Sequence, residues 1–354
     1  MVEKGKKKVL LIKLSSLGDV IFNIPLANIL KDNGYEVSWL VSEKGYDILK
    51  GNPCVDNVIL APFVKWKREY TFCQKMKEVA QIRKYLKGCN FDIAIDTQGL
   101  LKSMFFMIFM NIKRRLVNKS AREFSTLGGN EWVNVPANDD YNTHIIKKYL
   151  AYAKHLGLNT DEIKLTLPPS EQESVDKINE LLKDTDKTKP LVVVCPATTW
   201  DNKHWDKDNW KSVINAIKDN YTIVFTGTKN DIDLIEYIGE GKFLNLAGKT
   251  NLKDLIELFR RSDLVLSLDS GSTHLAWATQ VPKIVSIFCC TPPTLYGPIG
   301  EKYISLSGKL ACQPCHLRKC KKNGDGYNAC TKLPSPDSVL KAIEKLMDLR
   351  ITEG

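Results

Sequence analysis

Short, β-branched apolar runs recur along the chain at spacings of about 20 to 35 residues, with helix-like stretches between them, and they do so in two series. The first series lies at 9–12, 36–41, 55–60, 91–95 and 115–117; the second lies at 191–195, 221–225, 243–246, 264–268, 284–288 and 303–306. Runs that are apolar at every position fit strands covered on both faces, the condition of a parallel sheet. Parallel neighbours need a crossover, which the intervening helices supply. The pattern excludes all-helical and all-β folds and predicts an α/β protein with two Rossmann-like, doubly wound domains. A chain of 354 residues gives each domain enough length for its own core.

The join falls where the apolar series pauses. Leu165-Thr166-Leu167-Pro168-Pro169-Ser170 carries a proline pair, and the polar stretch Asp184-Thr185-Asp186-Lys187-Thr188-Lys189-Pro190 opens the second series. An amphipathic helix at 171–182 lies between them and suits either side. The predicted organisation is 1–170, 171–335 and a C-terminal segment 336–354, with a helix from Asp337 to Leu349 that packs back on the first domain. The two sheets are expected to face a central cleft. In open α/β sheets ligands bind beyond the carboxyl ends of the strands, so the loops after strands are where chemistry is sought.

The net charge of +10 is unevenly spread. Residues 65–90, 102–122 and 309–332 carry +6, +6 and +5, and the remainder of the chain is −7. Such clustering suits an anionic partner or surface, although solvated helix faces also produce basic runs. The basic start, Met1 to Lys8, is followed by an apolar stretch broken at Lys13, which reads as a strand and not as a signal peptide. The apolar run Met104-Phe105-Phe106-Met107-Ile108-Phe109-Met110-Asn111-Ile112 has about half the length that spans a bilayer. Ten cysteines without a signal peptide point to a reducing cytosol.

Three post-strand stretches hold reactive residue types. After the first strand comes Lys13-Leu14-Ser15-Ser16-Leu17-Gly18-Asp19, which is not a GxGxxG dinucleotide fingerprint and so withdraws support from a dehydrogenase. Asp19 stands where a helix begins, and two roles are open: a helix cap, or a general base facing the cleft. In the second half, Thr198, Thr199, Lys203 and His204 offer hydroxyls and cations to phosphate oxygens. Asp269-Ser270-Gly271-Ser272-Thr273-His274 follows the strand at 264–268 and opens a helix, leaving backbone N–H groups for an anion. A plain capping turn with a core histidine is the other reading of that stretch.

The segments Lys13 to Val20, Asp96 to Ser103, Ser120 to Phe124, Ala197 to Trp205 and Asp269 to Ala278 are collinear with, and resemble, those of glycosyltransferase family 9, in particular its lipopolysaccharide heptosyltransferases. The resemblance implies the GT-B fold and an inverting, metal-independent transfer. On this resemblance heptose would move from ADP-L-glycero-D-manno-heptose to the Kdo of Kdo-lipid A during inner-core assembly. It further implies that the first domain takes the acceptor, the second the donor. Asp19 would be the base, and Lys203 would act with it by holding the leaving diphosphate with Thr198 and Thr199. Ser270, Gly271 and His274, with Asp269 beside them, would form the helix N-terminal diphosphate site, and Asp231 would bind the ribose. Acceptor contacts would come from Ser16, Gly18, Lys65, Lys67, Arg68, Gln98 and Arg122. Asp96 suits either acceptor positioning or core hydrogen bonding.

Phe63, Trp66 and Phe72 lie among these bases and suit a headgroup layer, so the resemblance implies a cytoplasmic enzyme peripheral to the inner membrane. No helix-turn-helix, RRM or KH pattern accompanies the bases, so nucleic acid is not the expected partner. No cofactor is required on this reading. Within the class, a transferase adding a later core heptose or using another nucleotide sugar is the alternative; outside it, a non-catalytic nucleotide-sugar-binding relative. Phe288-Cys289-Cys290-Thr291-Pro292-Pro293 departs from the FGPTDP more usual in the family, which touches the identity of the sugar. Cys312, Cys315, Cys320 and Cys330 leave three states open: a structural zinc knuckle, a disulfide pair or free thiols.

Overall fold

The computed structural model describes residues 6–108, 110–137 and 139–348. The chain divides into two compact units, Met1–Pro169 and Ser170–Gly354. The first unit contains β1 (Lys8–Ile12), α1 (Leu17–Asp32), β2 (Glu36–Val41), α2 (Glu43–Leu49), β3 (Asn57–Leu60), α3 (Phe63–Glu69), α4 (Phe72–Gly88), β4 (Ile93–Asp96), α5 (Leu101–Met104), β5 (Arg114–Asn118), β6 (Glu131–Val133) and α6 (Ile145–His155). Its sheet runs β3-β2-β1-β4-β5-β6, parallel throughout.

The second unit opens with α7 (Gln172–Leu181), followed by β7 (Leu191–Cys195), α8 (Lys207–Ile217), β8 (Thr222–Phe225), α9 (Ile232–Gly239), β9 (Leu244–Asn245) and α10 (Leu252–Arg261). It continues with β10 (Leu264–Leu268), α11 (Gly271–Thr279), β11 (Lys283–Phe288), α12 (Pro293–Tyr296), β12 (Tyr303–Ser307) and α13 (Pro336–Met347). The sheet order is β12-β11-β10-β7-β8-β9, again all parallel. Counted from each unit's own first strand, both sheets have the doubly wound order 3-2-1-4-5-6. The protein is therefore an α/β chain with two Rossmann-like sheets of the GT-B type.

Burial explains the apolar runs. Val9, Leu10, Leu11 and Ile12 of β1 are at most 1% exposed, on both faces of the strand. α1 is apolar nearly all round because it is buried nearly all round, packed on α6. That packing makes a rigid base for the residues at its N-terminus. Within the run at 104–112, Met104, Phe106, Met107, Met110 and Ile112 are buried and Phe105 is exposed, while Phe109 lies outside the described residues. No helix among the described residues is long and apolar enough to cross a membrane.

Several expectations are corrected. The first sheet has a sixth strand, β6, whose three residues are too few to show periodicity in a sequence. α7, which the sequence left open to either side, is not such a correction: it packs on α10 in the second unit. The C-terminal helix was expected on the first domain. Instead Val339, Ala342, Ile343 and Leu346 of α13 enter the core of the second unit, because that face is needed to cover α8 and β11. The helix's expected end at Leu349 lies outside the described residues. Trp66, expected in a headgroup-facing surface, is 3% exposed and packs edge-on against Phe63 in the core.

Candidate active-site halves

In a doubly wound sheet the crevice opens where the chain reverses its direction of strand addition: between β1 and β4, and between β7 and β10. The post-strand stretches singled out in the sequence fall at these two places. Each half is described by itself.

In the first unit, Ser16 is the N-cap of α1, and its backbone N–H and Oγ both donate to Asp19 Oδ2, at 3.0 and 2.9 Å. This is a capping box closed by a carboxylate, so the capping role of Asp19 is real. The other oxygen does something further. Oδ1 accepts from the Tyr149 hydroxyl of α6 at 2.8 Å and lies 3.6 Å from Lys13 Nζ. Lys13 is only 4% exposed; its ammonium also donates to Tyr149 Oη at 2.9 Å and to the Thr97 carbonyl at 3.2 Å. A buried ammonium needs a counter-charge, and Asp19, whose side chain remains 32% exposed, is its ion-pair partner. Burial alone would raise the Asp19 pKa. The Lys13 charge, with the hydrogen bonds from Ser16 and Tyr149, outweighs it and holds the carboxyl below its ordinary value.

The DTQG stretch supports this arrangement from β4. Asp96 is buried and raised in pKa by that burial, against the hydrogen bonds it accepts from Ser103 Oγ at 2.7 Å, Gly99 N at 3.1 Å and Gln98 N at 2.8 Å. Those bonds assign it to core hydrogen bonding. Gln98 Oε1 accepts from the Leu14 and Ser15 backbones at 3.0 and 3.1 Å, so this oxygen shapes the loop before Asp19. Gly18 is buried in the first turn of α1, where it offers packing and no acceptor surface. Lys102 donates to Ser15 Oγ at 2.9 Å and adds a second cation near Asp19; burial and Lys13 lower its pKa. Lys65, Lys67 and Arg68 on α3 and Arg122 after β5 are exposed. α3 is pinned at its start by Glu43, which accepts from the Val64 and Lys65 N–H groups at 2.9 Å.

In the second unit, Lys203 lies after β7 and reaches Asp269 after β10, with Nζ 2.5 Å from Oδ2. Thr291 Oγ1 donates to the same oxygen, and His274 Nε2 is 3.5 Å from Oδ1. Burial pushes the Asp269 pKa up, but His274 and Lys203 pull it far below the ordinary carboxylate range. Ser270 is the N-cap of α11, and its Oγ is buried with no protein partner among the described residues. A buried, unpaired hydroxyl at a helix N-terminus beside a cation suits an oxyanion ligand. Thr198 is half-buried and Thr199 exposed in the same loop. His204, read as a phosphate contact, is instead tied to the Thr198 carbonyl at 2.8 Å and holds the loop closed. Asp231 Oδ2 accepts from Thr228 N and Oγ1 at 2.7 Å each, so this oxygen closes a capping turn after β8.

The four cysteines of the 312–330 stretch are free thiols, and among the described residues no group of three His, Cys, Asp or Glu is arranged to hold a metal ion. Cys330 is buried in the core of the second unit with Cys315 packed against it, and burial raises the Cys330 thiol to about 11. A cavity of about 420 Å³ opens between Thr291–Pro293 and 307–314.

Comparison with known proteins gives concordant results. Residues 79–324 match glycosyltransferase family 9 (heptosyltransferase). Lipopolysaccharide heptosyltransferase 1 of Pseudomonas aeruginosa is 26% identical over 327 residues, 88% of this chain and 87% of that protein. Lipopolysaccharide heptosyltransferase 3 of Escherichia coli K12 is 24% identical, covering 93% of this chain and 95% of its own. Among solved structures, a family 9 glycosyl transferase from Veillonella parvula superposes with a TM-score of 0.79 at 19% identity, covering 96% of this chain and 97% of that one. The E. coli heptosyltransferase WaaC with ADP gives 0.72 at 22% identity, covering 96% and 99%.

Proposed function

The chain belongs to glycosyltransferase family 9, and from that premise we propose that it is a heptosyltransferase of lipopolysaccharide core assembly, moving heptose from an ADP-activated donor to a Kdo-lipid A type acceptor. The observation that carries the catalytic reading is the hydrogen-bonded, partly exposed Asp19 carboxylate. An inverting transfer needs a base on the attacking hydroxyl and stabilisation of the departing nucleoside diphosphate. Asp19 takes the proton from the acceptor hydroxyl as that oxygen bonds to the anomeric carbon. The bond from that carbon to the diphosphate oxygen breaks, leaving ADP. Lys203, the Ser270 hydroxyl and the N–H groups opening α11 meet the charge that develops on the diphosphate. No metal step is needed for this division of labour.

The exposed bases Lys65, Lys67, Arg68 and Arg122 suit a phosphorylated, carboxylated glycolipid. α4 suits the bilayer that holds it: of its 17 residues only Leu86 is buried, leaving Phe72 75% and Met76 47% exposed among Lys75 and Lys77. An apolar and basic helix face of this kind lies well in an anionic headgroup layer. A cytoplasmic enzyme peripheral to the inner membrane follows from this reading.

The specific heptose step is the point at which a second reading has support, because a heptosyltransferase 3 aligns over nearly the whole chain and the Phe288–Pro293 stretch departs from the usual family motif. Mass spectrometry of products from ADP-, UDP- and GDP-sugars on Kdo-lipid A, with a heptosylated core as second acceptor, separates the two. Transfer of heptose from the ADP donor to Kdo is expected, and Asp19→Asn is expected to slow it by about 10²- to 10⁴-fold. Full activity in that variant would remove Asp19 from the mechanism. Lys203 is a poorer probe, since its removal strands the buried Asp269 charge and destabilises the unit itself.

A further inference from the structure

The second unit has a charge problem at its diphosphate site. Lys203 is already paired with Asp269, so the pair is close to neutral before any ligand arrives. A nucleoside diphosphate brings at least two negative charges, and a further cation without a carboxylate of its own is called for. The cysteine-rich loop supplies one. Arg318 places its guanidinium 5.3 Å from the centroid of Trp200, the same indole that carries Lys203 Nζ at 4.5 Å. Arg318 makes no ion pair among the described residues, whereas Lys203 does.

The loop is held at this place by bonds to both post-strand segments. Leu317 accepts from Asn202, the neighbour of Lys203; the His316 N–H donates to the Cys290 carbonyl at 2.9 Å; and Gln313 donates to the Cys289 carbonyl. The His316 ring stacks on Tyr296, with centroids 5.5 Å apart and planes at 26°. Residues 313–318 are therefore stitched across the carboxyl ends of β7 and β11, where a ligand of this sheet binds. We propose that this loop is part of the donor site and that Arg318 is a second diphosphate-binding cation beside Lys203. The inference rests on reading the second unit as the nucleotide-sugar half, and it gives the loop a function that its cysteines alone do not reveal. Cys330 in the core and Cys315 packed against it anchor the loop, and Arg318 is what it delivers.

The test is calorimetric titration of ADP and AMP into the full-length wild type, Arg318→Gln, Arg318→Lys, and Lys319→Gln as a neighbouring exposed-cation control, with UDP and GDP also titrated into the wild type. Arg318→Gln is expected to weaken ADP binding about tenfold or more and AMP binding by about twofold at most, with a shallower salt dependence for ADP. Lys319→Gln is expected to leave both unchanged, and Arg318→Lys to fall between. Unchanged ADP affinity in Arg318→Gln, or an equal loss in Lys319→Gln, overturns the assignment of Arg318. A wild type that binds none of ADP, UDP or GDP overturns the donor-half reading itself, and the proposal with it; these failures look different in the same titrations.

Discussion

At the scale of single residues, the behaviour of Asp19 is set by what faces it: Ser16 on one oxygen, Tyr149 and Lys13 on the other, Lys102 beyond. A base must be ionised to work. Because its pKa is held below the ordinary carboxylate value, the transfer rate should persist as pH falls through about 4 and decline only below that. The same depression stabilises the fold above the unfolded-state carboxyl pKa, and that contribution is lost as pH falls through the folded value. Tyr149→Phe removes one donor to the ionised form. Its acid limb should move upward in pH and its kcat should drop, with the donor KM unchanged. An acid limb that stayed in place would show that Tyr149 does not act on Asp19. Tyr149 could not be found from the sequence, because it comes from another element and carries no local signal; Lys102 stood inside the segment 96–103 and the basic run 102–122, but nothing local tied it to Asp19. Lys13 did leave a signal: a charge ending an otherwise apolar strand.

At the scale of elements, strands and helices were legible wherever burial imposed a period and illegible where it did not. The runs at 191–195 and 264–268 became β7 and β10 with the same bounds, since every position had to be covered. β6, with three residues at the sheet edge, had too little to cover. Aromatic residues among bases in 63–72 looked alike in the sequence, yet the structure sorts them: Trp66 is core and Phe72 is surface. That sorting predicts opposite phenotypes. Trp66→Ala should cost about 3–5 kcal/mol in unfolding free energy by denaturant titration. Phe72→Ala should change stability by less than about 0.5 kcal/mol while weakening sedimentation with anionic lipid vesicles. Equal vesicle binding by Phe72→Ala would take α4 out of the membrane contact.

At the scale of the whole molecule, the basic excess divides by role. Two of the three basic stretches lie in the first unit, around α3, α4 and 102–122, the side that the proposed function gives to an anionic glycolipid. The third lies in the cysteine-rich loop of the second unit, and there one arginine, not the summed charge, is put to use. Each unit is a single continuous stretch of chain, with α13 closing on its own sheet. Residues 170–354 expressed alone should therefore unfold in one cooperative transition and retain ADP binding, measured by calorimetry; a non-cooperative melt would show that the first unit is needed to complete its core.

The strand order has a consequence for synthesis on the ribosome. In each sheet the first strand made is central, the next two add successively on one side and the last three on the other. Every strand thus joins a free edge, and none has to be inserted between two that are already paired. A nascent chain can build both sheets outward in the order in which it emerges, and the first can be complete before β7 is translated.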